Sequence, residues 1–460
     1  MKQVLRTLIL SVFFAGGSVV ALAQQVNTLY FLENAPMRHT INPAFQPVQE
    51  FYMAFPAIGY TSLWVGNHNL TLSDWVYKNA QGKTITALHP TGEEQWKALP
   101  NMLSLDLDAT INLFSVGWHV RERGFFHINA TERLTSKTNV PKTIFSGILD
   151  QNITINDPID IMSASVYAEI AFGYSHYISE QWTVGAKAKL LLGHGYLDAN
   201  VEHFNFRSTD DEVSMKATGT IYQAGVAQDL LSSEFTNLNW SNLIPSGYGA
   251  AFDLGVTYKP IEMLQISAAV TDLGFIKWTG QLGKEQDLQP VEKGNLSINE
   301  TFTGVGSFEY GDYINDGLFD TEEFVSDIKN NLQLYQGEFL QYEGTKTQPI
   351  NQMLHANLNI GIDANFWENR VGVGVYSHTR FMTDTITEEV TIGAAFRPCN
   401  WFNLAASYSF LNGKGSNMGA AFGFAPYDGF MLTVAADYVP LVYAEGENFK
   451  IPYKTAGNRE

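Results

Sequence analysis

The sequence predicts an all-β fold, a transmembrane antiparallel β-barrel of about 14 strands with a small helix-containing extracellular insertion. Three observations predict it. The N-terminus reads as a secretory signal, segments of about ten residues repeatedly place apolar side chains on one face and polar ones on the other, and the connections alternate between short and long.

Composition narrows the classes. The chain has 460 residues with 47 acidic against 28 basic side chains, a net charge of −19, which disfavours a polyanionic nucleic-acid partner. Cys399 is the single cysteine, so neither an intramolecular disulfide nor a cysteine metal cluster is available. Beyond residue 23 no run of about 18 apolar residues occurs, which excludes a helical span. Strands remain possible, because a spanning strand shows lipid only one of its two faces.

Residues 1–23 carry Lys2 and Arg6, an apolar stretch from Leu8 to Leu22 broken by Gly16-Gly17, and Ala21-Leu22-Ala23. This is the layout of a cleavable signal peptide, with cleavage expected after Ala23. No cysteine lies near that point to carry a lipid anchor.

Residues 24–50 form the next unit. Pro36, Pro43 and Pro47 oppose regular strand pairing, and Asn42-Pro43 favours a turn. Two readings stay open, a plug at the periplasmic mouth of the barrel or an ordered leader that positions the first strand. The turn chemistry does not choose between them.

Residues 51–460 carry the barrel pattern. From 104 to 113, Leu105, Leu107, Ala109, Ile111 and Leu113 alternate with Ser104, Asp106, Asp108, Thr110 and Asn112. From 355 to 366, Ala356, Leu358, Ile360, Ile362, Ala364 and Phe366 oppose a polar face that includes Asp363. About ten residues is the length a tilted strand needs to cross a bilayer. Ionisable groups sit in mid-strand on the polar faces, at Asp106, Asp108, Glu169, Lys187, Lys189 and Asp363. A polar lumen accepts them, so these six are assigned to it. Aromatic residues gather at strand ends, as at Tyr177 with Trp182 and Trp401 with Phe402, where girdles meet the membrane interface.

Connections at 179–181, 259–261, 368–369 and 398–400 are short and are read as periplasmic. By that alternation, the long acidic insertion 281–353 is extracellular. Strands are expected to begin near Phe51, Leu103, Gly124, Ser165, Thr183, Gly249, Leu264, Leu354, Arg370, Glu389, Phe402, Asn417 and Phe430. An even, closed barrel needs one more, and residues 451–460 resemble only the approach to a strand. A closing strand beyond Glu460 is therefore expected, unless 203–223 supplies one or two further strands.

Tyr30-Phe31-Leu32-Glu33-Asn34-Ala35-Pro36 and Asn42-Pro43-Ala44-Phe45-Gln46-Pro47, just before the first strand, resemble the N-terminal signature of a Bacteroidetes family of outer-membrane proteins of unknown function. Asn42-Pro43-Ala44 is also similar to the short motif before the first strand in FadL-type fatty-acid channels and PorV-type barrels of type IX secretion. The resemblance implies a barrel of about fourteen strands in the outer membrane. It transfers no substrate and no ligand-contact residues.

Candidate chemistry is sparse. Asp106 and Asp108 share a face, but every second residue of a strand does, so they read as a solvated lumen wall rather than an acid–base pair. His194 and His203 lack a zinc-recruiting spacing. Asp312, Asp316, Gly317, Asp320 and Glu323 fit parts of a calcium-loop template, but Ile314 occupies a ligand position. Asp320 and Glu323 read better as a capping box for a helix over 321–334, with Phe324, Ile328 and Leu332 on one stripe. No hydrolase, P-loop or metalloprotease motif occurs. We assign no catalytic residue, no cofactor and no metal.

Two functions follow as expectations, with outer-membrane lipid as the surroundings. One is a channel for small or hydrophobic molecules in the FadL manner. The other is a non-conducting structural or docking barrel for secretion or cell-surface partners in the PorV manner.

Overall fold

The computed structural model describes residues 27–55, 61–66, 76–78, 84–86, 97, 99, 101–142, 152–156, 158–208, 212–227, 244–279, 291–303, 314–315, 318–319, 341–382, 386–399, 401–412, 414–427, 430–437, 442–445 and 450–454. The signal segment 1–23, the helix expected over 321–334 and the acidic residues of the calcium template lie outside the described residues.

Strand formation follows the alternation. The wall begins with β1 (Phe51–Ala54) and β2 (Thr61–Gly66), which both pair with β3 (Met102–Val120). Antiparallel neighbours then follow in chain order through β4 (Gly124–Pro141), β5 (Ile159–Tyr177) and β6 (Trp182–Ser208). β4 leaves β3 through a turn in which Arg121 takes a φ of 56°.

The next three wall positions are each built from more than one strand. β7 (Glu212–Gly225) and β8 (Gly247–Ile261) lie end to end along β6, with Gly225 opposite Gly195 and Gly247 opposite Gly193. β9 (Leu264–Trp278) and β10 (Glu292–Thr303) repeat the arrangement against β8 and β7. β11 (Gln341–Lys346) pairs with β10, while β12 (Ile350–Met353) and β13 (Ala356–Phe366) pair with β9. The wall continues through β14 (Val371–Phe381), β15 (Ile386–Cys399), β16 (Phe402–Leu411), β17 (Lys414–Tyr427) and β18 (Phe430–Ala436).

Two expectations change here. Within 203–223, residues 203–208 and 212–223 pair with each other and heighten an existing wall position rather than adding one. Parts of 281–353, read as a separate insertion, continue the wall as β10, β11 and β12. These strands escaped notice because Lys293, Asn295, Ser297 and Asn299 alternate with Gly294, Leu296, Ile298 and Glu300, so neither face is a sustained apolar stripe. β6 is 27 residues long, far beyond the roughly ten a membrane crossing requires. Its upper half therefore stands clear of the hydrocarbon. Beyond the wall, Val442–Glu445 pairs with Lys450–Lys454, so residues read as an approach to a strand form one in a small hairpin.

The burial pattern is inverted relative to a soluble protein. Along β8, Phe252 and Leu254 are 50% and 52% exposed while Asp253 between them is 0% exposed. Around the wall, Ile111, Phe172, Leu190, Ile362, Val375, Ile392 and Val434 all point outward. Polar and small residues fill the inner face, among them Asn129, Thr391 and Ser407. An apolar outer band over a polar interior suits lipid outside and side chains inside. No helix among the described residues is long and apolar enough to cross a membrane.

Candidate functional site in the barrel interior

The interior holds the N-terminal segment, a belt of paired charges and a chamber between that segment and an apolar cluster. The segment folds into two short 3-10 turns, Asn27–Phe31 and Pro36–Thr40, the second opening on Pro36, whose ring presets a helical φ. Leu29, Tyr30, Phe31, Leu32 and Phe45 pack on Tyr376 of β14, Ala395 of β15, Ala405 of β16 and Ala421 of β17. Tyr30 stacks on Tyr376 with ring centroids 4.7 Å apart, and its hydroxyl donates to Asp363 at 2.7 Å. Burial, reinforced by the Asp363 charge, raises the Tyr30 hydroxyl above the ordinary phenol range. The backbone N–H groups of Asn27 and Thr28 both donate to the Asp437 carboxylate just past β18.

Asn42-Pro43-Ala44 acts as a wedge. The Asn42 amide donates to the carbonyls of Val256 on β8 and Ala268 on β9, at 3.3 and 3.2 Å. Its Oδ1 accepts the N–H of Ala44 at 2.9 Å, an Asx turn that fixes the loop. This close approach requires bare backbone in the wall. A Cβ at Gly255 would strike Asn42 Oδ1, and one at Gly185 would strike the Pro43 carbonyl.

Two further titratable groups of the segment are perturbed. His39 is buried, stacks on His127 at 4.1 Å and pairs through Nε2 with the Tyr52 hydroxyl at 2.8 Å. Burial, then the positive fields of His127 and Lys187, holds the ring neutral well below the usual histidine range. For Glu33, burial pushes toward the acid form, but Arg38 and Arg397 outweigh it and keep the carboxyl below its ordinary value.

Above the segment lies the charge belt. Asp272 adopts a φ of 60° at a β-bulge, where Asp253 alone opposes Thr271 and Asp272. The bulge aims both carboxylates inward, and Asp253 accepts the Asp272 backbone N–H at 2.8 Å. Asp272 receives Arg133 through two guanidinium nitrogens, at 2.9 and 3.3 Å, and Lys189 at 2.5 Å. Lys189 also reaches Asp253 at 2.8 Å, and Arg133 reaches Glu169 at 3.1 Å. Lys187 ties the belt to the segment below, contacting Asp253 at 3.4 Å and donating to the His39 carbonyl.

Some of these pairs cross the lumen. Arg133 stands on β4 and Asp272 on β9. On the other side, Asp108 of β3 meets Arg380 of β14 at 2.5 Å. Ser165 of β5 is joined to Gln352 of β12 at 3.1 Å, and Gln352 accepts the indole N–H of Trp278 at 3.0 Å. Trp278 is fully buried with Tyr167, Leu191, Tyr196 and Ile276 in an apolar cluster. Between this cluster and the N-terminal segment remains a cavity of about 160 Å³, bordered by Met37, Arg133, Tyr167, His355, His378 and Arg380 among others.

The residues singled out from the sequence are placed as follows. Asp108, Glu169, Lys187 and Lys189 line the chamber, Asp106 is buried on the same face of β3, and Asp363 lies lower, bonded to Tyr30. Asn42, Pro43 and Ala44 form the wedge described above. Arg133, Asp253, Asp272 and Arg380 were missed. Asp253 and Arg133 could have been found by extending the parity of β8 and β4. Asp272 could not, because the bulge breaks the alternation before it.

Fold and interior define the class as an antiparallel β-barrel of the outer-membrane type. The chain belongs to a family of unknown function, DUF5723, whose model matches residues 43–437. No curated protein matches the chain. Among solved structures, a Pseudomonas aeruginosa FadL homologue is similar at 10% identity and a TM-score of 0.43, covering 90% of each chain. The P. putida toluene transporter TodX is similar at 10% identity and a TM-score of 0.37, covering 86% of this chain and 85% of its own. The ferric-catecholate import receptor Fiu from E. coli K12 is similar at 8% identity and a TM-score of 0.24, covering 84% of this chain and 64% of its own.

Proposed function

We propose that this chain is exported through residues 1–23 and resides in the outer membrane as a barrel closed at rest, a passage for small solutes with residues 24–50 as its plug. The observation that supports this is the chamber. A barrel serving only as scaffold has no need of a cavity bordered by matched polar groups, and the segment beneath that cavity is held by reversible, non-covalent contacts. Residues 27–45 rest on the wall through packing and hydrogen bonds, so their displacement opens the chamber toward the periplasm.

A second reading is a docking barrel for surface partners. The strands that rise beyond the membrane as β6, β7, β10 and β11 favour it, because they present a tall wall to the outside. One experiment separates the two. The full chain and a variant lacking 27–45 are reconstituted into liposomes, folding is checked by heat-modifiable migration, and solute flux is followed by swelling. Flux that is near zero in the full chain and at least tenfold higher in the deletion supports the passage. A folded deletion variant with no flux overturns it and leaves docking.

A further inference from the structure

The chamber has a chemistry that identifies a class of ligand, and this inference rests on the passage reading above. By number its bordering side chains are mostly charged or polar, while about half of the surface they present is carbon. Basic and acidic side chains stand around it in equal number, four of each, with Ser, Thr and Asn groups between them. The apolar surface comes from Met37, Met353, Leu354, Leu411, the ring of Tyr167 and the carbon stems of the polar side chains. An apolar solute entering this space would strip water from charges and amides and return no hydrogen bond. A solute of single charge would meet a balanced lining with no net field to select it. A dipolar solute is matched at both ends.

The ion pairs differ in how far they can accept such a solute. Lys189 and Asp253 are closed in, their side chains only 5% and 1% exposed, and both are shared within the belt. Asp108 and Arg380 form a pair across the lumen with 23% and 15% exposure. A ligand carboxylate can take the guanidinium of Arg380 in place of Asp108, while a ligand ammonium takes the Asp108 carboxylate. Both charges stay compensated, so insertion leaves no buried ion alone. Size sets the other limit, since an apolar cavity of about 150 Å³ holds a molecule as large as benzene. A chamber of about 160 Å³ therefore suits a solute of roughly that size.

We propose that the chamber is a binding site for a small zwitterion of amino-acid type, seated between Asp108 and Arg380. The test is equilibrium dialysis of the full-length protein in detergent against labelled L-serine, glycerol, acetate, ethylammonium and benzene. Serine should be retained, with the other four at least tenfold weaker. Arg380→Gln and Asp108→Asn should each lower serine affinity at least tenfold. Thr387→Phe, which fills part of the chamber beside its cross-strand partner Arg380 without removing a charge, should do the same and serves if a charge variant fails to fold. Retention of benzene or glycerol as strong as that of serine overturns the proposal, as does serine binding unchanged in the folded variants. Liposome swelling run in parallel separates the two readings. Serine binding without flux in the deletion variant removes the passage and keeps the site, whereas flux without saturable serine binding removes the site and keeps the passage.

Discussion

The two halves of the barrel wall line the same lumen by opposite means. From β3 to β9 the inner face carries charges that neutralise one another, with Arg133, Lys189, Asp253 and Asp272 interlocked. From β15 to β17 the inner mid-strand positions are small, with Gly393, Ala395, Ala405, Gly419 and Ala421, and an apolar stretch of chain lies directly on them. The difference is one of replaceability. The charged half cannot lose one member without unbalancing buried ions, while the small half meets the segment mainly through apolar packing, with charged contacts only at its edges, at Asp437 and Arg397. One half maintains the barrel, and the other receives the segment that closes it.

The largest effect should come from breaking the charged half. Asp272→Leu removes the carboxylate that Arg133 and Lys189 share, leaves the belt with an excess of buried positive charge and should destabilise the barrel by about 3–5 kcal/mol. This is read as a marked drop in the temperature at which the folded, fast-migrating form converts on gels. If the transition stays in place, the belt contributes little and the contrast between the halves fails.

Gly185→Val attacks the contact with the segment instead. The added side chain meets the Pro43 carbonyl, and the segment should be displaced at a cost of about 1–3 kcal/mol. Native-state proteolysis within 27–45 should accelerate about tenfold or more while the heat-modifiable transition of the wall barely moves. Equal losses in both readouts would show that segment and wall are one cooperative unit.

Acid should loosen the same contact. His39 is held neutral in the docked segment and titrates near 6.5 when released, so the released state binds more protons. Docking is fully favoured above pH 6.5 and weakens below it, by about 1.4 kcal/mol or tenfold in proteolysis rate for one pH unit. His39→Asn should flatten the profile between pH 7 and 5.5. Glu33, with its lowered carboxyl, adds a loss of the same sign only below its ordinary value of 4.5, so the two windows are distinct.

The smallest effect is expected from Asn42→Ala. It removes the donors to Val256 and Ala268 and the Asx turn onto Ala44, worth about 1 kcal/mol between them after exchange with water. Proteolysis of 27–45 should rise several-fold at constant barrel stability, and Asn42→Asp, which keeps the turn but not the donors, should fall between.

Legibility followed the period of the wall. The strands at 104–113 and 355–366 and the starts at Gly124, Leu264, Phe402 and Phe430 could be read because lipid on one side and polar groups on the other impose a period of two. The start expected at Ser165 was six residues late, since Ile159 to Ala164 lies above the apolar band where the pattern fades. β10 and β11 were unreadable for the same reason. Within the site, Lys187, Lys189, Glu169 and Asp108 were legible as lumen-facing by parity alone, whereas their partners were not.

By itself, then, the sequence determined the alternating faces, the two turn classes and a proline-broken segment ahead of the first strand, because each depends on residues close together in the chain. Only the tertiary structure decided that this segment lies on the glycine and alanine face of β15 to β17, that a bulge turns Asp272 inward, and that Asp108 meets Arg380 across the lumen. Those pairings join positions separated by up to several hundred residues. What brings them together is the curvature of the wall, which is a property of all the strand registers at once and of no single segment.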